Sequence, residues 1–208
     1  MTRKVLIEQI RRLYYGGTPS DDSNLTEKEV NHYINQAIAY IARVNYSDSI
    51  KIDGIETVSD AFYTTFKNLT VAKDNDTGYY YATLPQPPIG LSRGYGISSV
   101  TFPVNTGLAK APTAVSPREV DYIEQIKLPP SKIFYWAEGN KLWMRSYTNL
   151  VGKLAIVRMI SSENSDMTAE LNVPAEYISD MINWIMDQLK VRKQMPEDTT
   201  NDGIDNKQ

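Results

Sequence analysis

Cysteine is absent from the 208-residue chain, which excludes a disulfide framework, a thiolate metal centre and a cysteine nucleophile. Histidine occurs once, at His32, so a Ser-His-Asp triad or a multi-histidine zinc site has a single position to build on. No run approaches the ~20 apolar residues that a membrane-spanning helix needs. The opening MTRKVLIEQIRRLYY places Arg11 and Arg12 where an export signal would be apolar. The expectation is a soluble chain, made without an export signal and with no membrane partner. A basic excess is missing too: net charge is −3, whereas a nucleic-acid grip concentrates Lys and Arg on one face. Walker, dinucleotide-binding, nucleophile-elbow and zincin motifs do not occur. These absences point away from catalysis: no enzyme, no cofactor and no metal site is expected.

The chain does have a core to build. Hydrophobic residues make up 41%, enough for a folded domain. Leu6, Ile10 and Leu13, widened by Ile7 and Tyr14, repeat at helical spacing over residues 2–14. Lys4, Glu8 and Arg12 follow one another at i+4 on the other side, and Arg3, Lys4, Arg11 and Arg12 make this helix positive. Its basic side reads as a solvated face or, at Arg11 and Arg12, as a docking surface. Gly16, Gly17 and Pro19 punctuate a connector. Thr26 and Glu29 then form a capping box for a second helix, striped by Val30, Ile34, Ala37, Ile38, Ile41 and Val44 and expected to end near Asn45. His32 lies on it near its edge, as a satisfied polar residue rather than a catalyst. At the other end, Pro174 introduces a helix to about Met195 with a stripe of Ile178, Met181, Ile182, Ile185 and Leu189, flanked by Trp184.

Between them the pattern turns to β. Strand signals rich in β-branched and aromatic residues appear at 61–71, 79–84, 97–102, 133–138, 141–145 and 153–160. Asp74-Asn75-Asp76-Thr77-Gly78 marks one turn and Glu138-Gly139-Asn140-Lys141 a tight hairpin. Asp74, Asp76 and Gly78 begin like a calcium loop, but Pro85 stands where the closing Glu belongs. Ser116-Pro117-Arg118-Glu119 opens a short helix to about Gln125. Residues after Pro196 read as a mobile acidic tail.

The expected fold is therefore α+β. Two N-terminal helices and one long C-terminal helix pack as a small bundle, because a helix with one apolar face must bury it. Residues 1–46 and 172–195 form this helical body, 47–171 the β-rich insertion with its short helix near 117–125, and 196–208 the tail. The segment YYYATLPQPPIGLSRGYGISSV, 79–100, is the most unusual stretch. Prolines stiffen it and so lower its ordering cost on docking. Tyrosines supply contact area with few rotors. Gly94 and Gly96 permit close backbone approach. The plainer alternative is that Tyr79–Tyr81 simply alternate across a half-buried strand.

In order and layout the chain resembles the head-to-tail connector (adaptor or ring) proteins of tailed phages. The resemblance is carried by LIEQIRRLYYGG, the gap ending in Leu25-Thr26-Glu27, the Ile34-Asn35-Gln36-Ala37 element and the Pro174-Ala175-Glu176 entry to the last helix. The segment 79–100 is similar to its counterpart in ring proteins of crAss-like phages. The resemblance implies a structural virion protein of the neck, made in the bacterial host cytoplasm. It implies a homo-oligomeric ring, commonly of twelve subunits, between the portal and an adjacent ring or the tail. DNA passes through such a ring without sequence-specific binding, and a mildly acidic subunit suits that task. Terminal helices form the body of such rings, while inserted loops and the C-terminal tail reach neighbours. The resemblance thus implies subunit–subunit or ring–ring contacts for segment 79–100, with Tyr79, Tyr81, Pro85, Pro87, Pro88, Arg93 and Tyr95 as candidate interface residues and Arg11 and Arg12 on the first helix beside them. Two other classes stay open on the residues alone. Fourteen tyrosines and three tryptophans suit a carbohydrate- or surface-binding β-module, and two distant acids converging in a cleft would make a carboxylate-based hydrolase.

Overall fold

The computed structural model describes residues 1–17, 24–54, 58–91, 96–103, 108, 111–120, 122 and 132–194. The architecture is α+β, as expected. Helices α1 (Arg3–Tyr15) and α2 (Glu27–Asp53) lead into the strands, and α3 (Ile178–Gln194) closes the described chain. The three pack pairwise around a core of Leu6, Ile7, Ile10, Ile34, Ile38, Ile41, Met181, Ile185 and Leu189. Tyr40 of α2 stacks on Trp184 of α3 with ring centroids 5.5 Å apart.

The helix ends show why these segments fold locally. Thr26 accepts the Glu29 amide while the Glu29 carboxylate accepts the Thr26 amide, so two first-turn donors are satisfied together. Gly16 and Gly54 take left-handed conformations that close α1 and α2. The second helix runs eight residues past its expected end at Asn45. Its apolar stripe does stop there, with Ile50 and Ile52 exposed, but nothing interrupts helical geometry before Gly54. Tyr46 is buried and Asn45 is bound at both ends: its Oδ1 accepts the Ser59 amide at 2.9 Å and its Nδ2 donates to the Tyr177 hydroxyl at 2.8 Å. Two expectations for α1 need correction. Leu13 is 51% exposed, and Arg3 is buried at 3% exposure. Positions 3, 6, 7 and 10 define the inward face, so Arg3 sits at its centre and Leu13 at its margin.

Among the described residues seven strands form one curled, mixed sheet in the order β3-β7-β1-β2-β6-β5-β4. They are β1 (Thr64–Lys73), β2 (Tyr80–Thr83), β3 (Ile97–Thr101), β4 (Thr113–Ala114), β5 (Ile133–Glu138), β6 (Lys141–Ser146) and β7 (Leu154–Met159). Only β4–β5 is parallel. The curl originates in β1, which pairs with β7 along its first part and with β2 along its last. A register shift between Phe66 and Leu69, with Asn68 at φ 60°, bends it there. One face of the sheet supplies a second core of Val71, Tyr80, Ala82, Ile133, Tyr135, Leu142, Met144, Val157 and Met159. A 3₁₀ turn at Asp60–Phe62 connects α2 to β1. The expected helix at 117–125 opens as a 3₁₀ turn, Pro117–Glu119, and Val120 and Tyr122 beyond it are helical. Most of its remainder, and the tail after Pro196, lie outside the described residues.

The two chain ends are stitched together by main-chain bonds. Arg3 N–H donates to the Ala169 carbonyl (3.0 Å), Lys4 N–H to Met167 (2.8 Å) and Leu171 N–H to Met1 (3.0 Å). The first-turn amides of α1 are thereby satisfied by the strap 167–171 rather than by a side-chain cap.

Candidate interface face

The unusual segment divides between three environments. Tyr80 points into the sheet core, while Tyr79 and Tyr81 point outward and remain half-buried. Strand alternation requires this: inward positions of β2 are Tyr80 and Ala82. Register then sets three aromatic residues side by side on the outer face. Tyr81 pairs with Trp143, and Trp143 with Trp136. Ring centroids are 5.6 Å apart for Tyr81–Trp143 and 6.5 Å for Trp136–Trp143, the latter nearly parallel. Tyr79 meets Trp136 edge-on at 5.4 Å. The Lys141 ammonium lies over both Tyr81 and Trp143, 4.8 and 5.2 Å from their centroids, in cation–π geometry.

This strip of four rings and one cation is the most distinctive part of the outer face. Trp136, Trp143 and Lys141 were not among the residues singled out from the sequence, although the signal existed. Once Glu138 and Lys141 flank the hairpin turn, counting outward by twos pairs 136 with 143. Tyr81 could join them only through the β2–β6 pairing across about 60 residues.

The prolines lie elsewhere. Pro85 and Pro87, with Gln86 between them, form one wall of a cleft of about 680 Å³. Asn31, His32, Asn35 and Gln36 of α2 and residues 162–165 also line it. His32 is exposed, its Nε2 2.9 Å from Gln36 Nε2. Pro88 is half-buried, just before Ile89 enters the helical core. Gly96 makes its close approach within the chain: a Cβ there would lie 2.0 Å from the Ile89 carbonyl oxygen. The Ile89 amide donates to Ile160 O, and the Ile160 amide to Gly96 O. Gly94, Arg93 and Tyr95 lie outside the described residues.

Arg11 and Arg12 stand among other neighbours again. Arg11 ties α1 to α2 through Glu27 at 3.5 Å. Arg12 is exposed beside Val5, Glu8, Gln9 and Leu13, a shallow groove with two apolar members. The i+4 series Lys4, Glu8, Arg12 is exposed throughout.

The charged groups carry structural tasks. Asp74 holds the β1–β2 turn by accepting the Thr77 hydroxyl (2.6 Å) and amide (3.0 Å). Those bonds keep its carboxyl below the usual aspartate range. Asp166 is lowered in the same way by Thr168. Burial lowers the Arg3 guanidinium to about 10, with Asp166 acting in the opposite sense. Among the described residues no three His, Asp or Glu side chains converge, and no helix is long and apolar enough to cross a membrane. No protein-family model matches the chain, and no curated protein sequence matches it.

Proposed function

We propose that this chain is a non-enzymatic virion protein of a tailed phage. It assembles as a homo-oligomeric ring, of about twelve subunits by the resemblance, that joins the portal to the next ring or the tail and extends the DNA channel. The observation that carries the reading is the arrangement of the fold around the aromatic strip. A helical body built from both ends of the chain supports a curled sheet that presents Tyr79, Tyr81, Trp143 and Lys141 on its outer face, braced by the buried Trp136. Clustered aromatic residues are enriched at the centres of protein–protein contacts. The layout agrees with the order of elements on which the resemblance to connector proteins rests.

The same strip favours one other reading, a sugar-binding platform. Two features count against it. Trp136 is only 8% exposed, and Lys141 already covers the faces of Tyr81 and Trp143 that a sugar ring would need.

Native mass determination with negative-stain imaging tests the proposal, on the chain alone and mixed with the portal of the same phage. Rings in either condition are expected, and rings only in the mixture would mean templated assembly. Replacing Tyr81→Ser together with Lys141→Glu should abolish the rings while leaving the circular dichroism of the subunit unchanged. A subunit that stays monomeric with the portal present, or one that binds a glycan array through the strip, would overturn it.

A further inference from the structure

Arg3 is a buried cation whose direct partners are all neutral. Its Nη1 donates to Asn31 Oδ1 (2.9 Å) and Asn35 Oδ1 (2.5 Å), and its Nη2 to the Ser162 carbonyl (3.4 Å). Among the described residues no carboxylate lies within ion-pair distance of it. Buried charges are ordinarily paired, because dipoles alone recover only part of the hydration lost. Its Nε–H, also buried, has no protein partner. Neither has the buried Ser161 hydroxyl.

These two orphaned donors belong to one place. Arg3 and Ser161 both line a largely enclosed cavity of about 80 Å³ between α1, α2, the start of β1 and the strap before α3. The side-chain amides of Gln86, Asn164 and Asn172 complete most of its wall. Asn164 Oδ1 is occupied by the Asp166 amide at 2.8 Å, so its NH₂ group remains available as a donor. The main-chain amides of Arg3 and Lys4 are already used by Ala169 and Met167, so the side chains define the site. We propose that this cavity binds a small monovalent anion, a halide or a carboxylate the size of formate, held by the Arg3 guanidinium and the Ser161 hydroxyl.

Size and charge both restrict the ligand. The space, about 80 Å³, suits an anion of a few heavy atoms better than one as large as gluconate. Glu170 is the single carboxylate on the wall and is exposed to solvent. Its charge, screened by water, disfavours divalent anions while tolerating a monovalent one. Water alone would satisfy the two donors but would leave the Arg3 charge opposed only by Asp166, which lies beyond ion-pair distance, and the two cases differ in their response to anion identity.

The test is thermal unfolding of the full chain in sodium gluconate, exchanged stepwise for chloride or formate at constant ionic strength. The expected result is a saturable rise in Tm of roughly 3–5 °C by ten times the half-saturating concentration. Ser161→Ala removes a donor that has no protein partner, so its Tm in gluconate should match the unmodified chain. Its half-saturating concentration should rise by roughly tenfold, the loss of one hydrogen bond to a charged group. Chloride-35 NMR line broadening, reversed by formate, should report the same site without heating. Tm values indifferent to the anion, or an identical response in Ser161→Ala, would overturn the proposal.

Discussion

Gly96 occupies a position that only glycine fits, because the obstacle is main chain. The Ile89 carbonyl stands 2.0 Å from where a Cβ would lie, and that carbonyl cannot swing away. The Ile89 amide is fixed to Ile160, whose own amide is fixed to Gly96. Gly96→Ala is therefore expected to destabilise the chain by about 2–3 kcal/mol, the upper range for overpacking, read as a lower urea midpoint at unchanged slope. Asp74 supports a prediction of a different kind. Its carboxyl is lowered chiefly by the Thr77 hydroxyl and next by the Thr77 amide. A carboxyl lowered in the folded state contributes stability above the ordinary aspartate range and loses it as pH falls through the folded value. Thr77→Val should move the Asp74 titration upward, seen by carboxyl-carbon NMR, while the retained amide bond keeps it below the ordinary value. An unchanged titration would mean the hydroxyl bond is not made in solution.

At the scale of elements, capping and stripe account for the helices and register accounts for the strip. Thr26→Ala should cost about 1 kcal/mol, since it orphans the Glu29 amide and loosens the reciprocal bond. Leu189→Ala, at a fully buried position between α3 and the other helices, should cost about 2–5 kcal/mol through the cavity it leaves. Both values are measurable by chemical denaturation, and a larger loss at Thr26 than at Leu189 would contradict the packing described. The extension of α2 to Asp53 shows what apolar periodicity misses. A helix continues past its buried stripe until a residue such as Gly54 ends it, so the stop signal is conformational rather than hydrophobic. The Gly139–Asn140 hairpin shows the opposite case, where a local turn fixes a cross-strand pair, Trp136 and Trp143, seven residues apart.

At the scale of the whole molecule, the stitching of the amino-terminal residues to the strap 167–171 makes the helical body a closed unit. The amides of Arg3, Lys4 and Leu171 bond across more than 160 residues of sequence. They should therefore exchange with solvent only on global unfolding, as slowly as the buried amides of Ile34 and Ile38 in α2. Faster, independent exchange at Arg3 and Lys4 would show instead that the first turn of α1 opens by itself.

Local chemistry by itself determined where the three helices lie, the Thr26 cap, six of the seven strands, the Asp74 turn and the hairpin, because each rests on neighbours a few residues apart; the short strand β4 carried no such signal. It also determined that the protein is α+β, since helical stripes lie at the ends and β-branched runs between them. Only the tertiary structure decided what faces what. Arg3 read as one of four basic residues on a solvated or docking face, and packing of α1 on α2 and the strap placed it in the interior. Tyr79 and Tyr81 read as part of one interface segment with Pro85 and Pro87. The β2–β6 pairing carried the tyrosines to the aromatic strip, and the loop beyond carried the prolines to the cleft beside α2. Such assignments depend on contacts between residues 28 to 159 positions apart. Their energies are no larger than those of local contacts, and they leave no periodic trace in the chain.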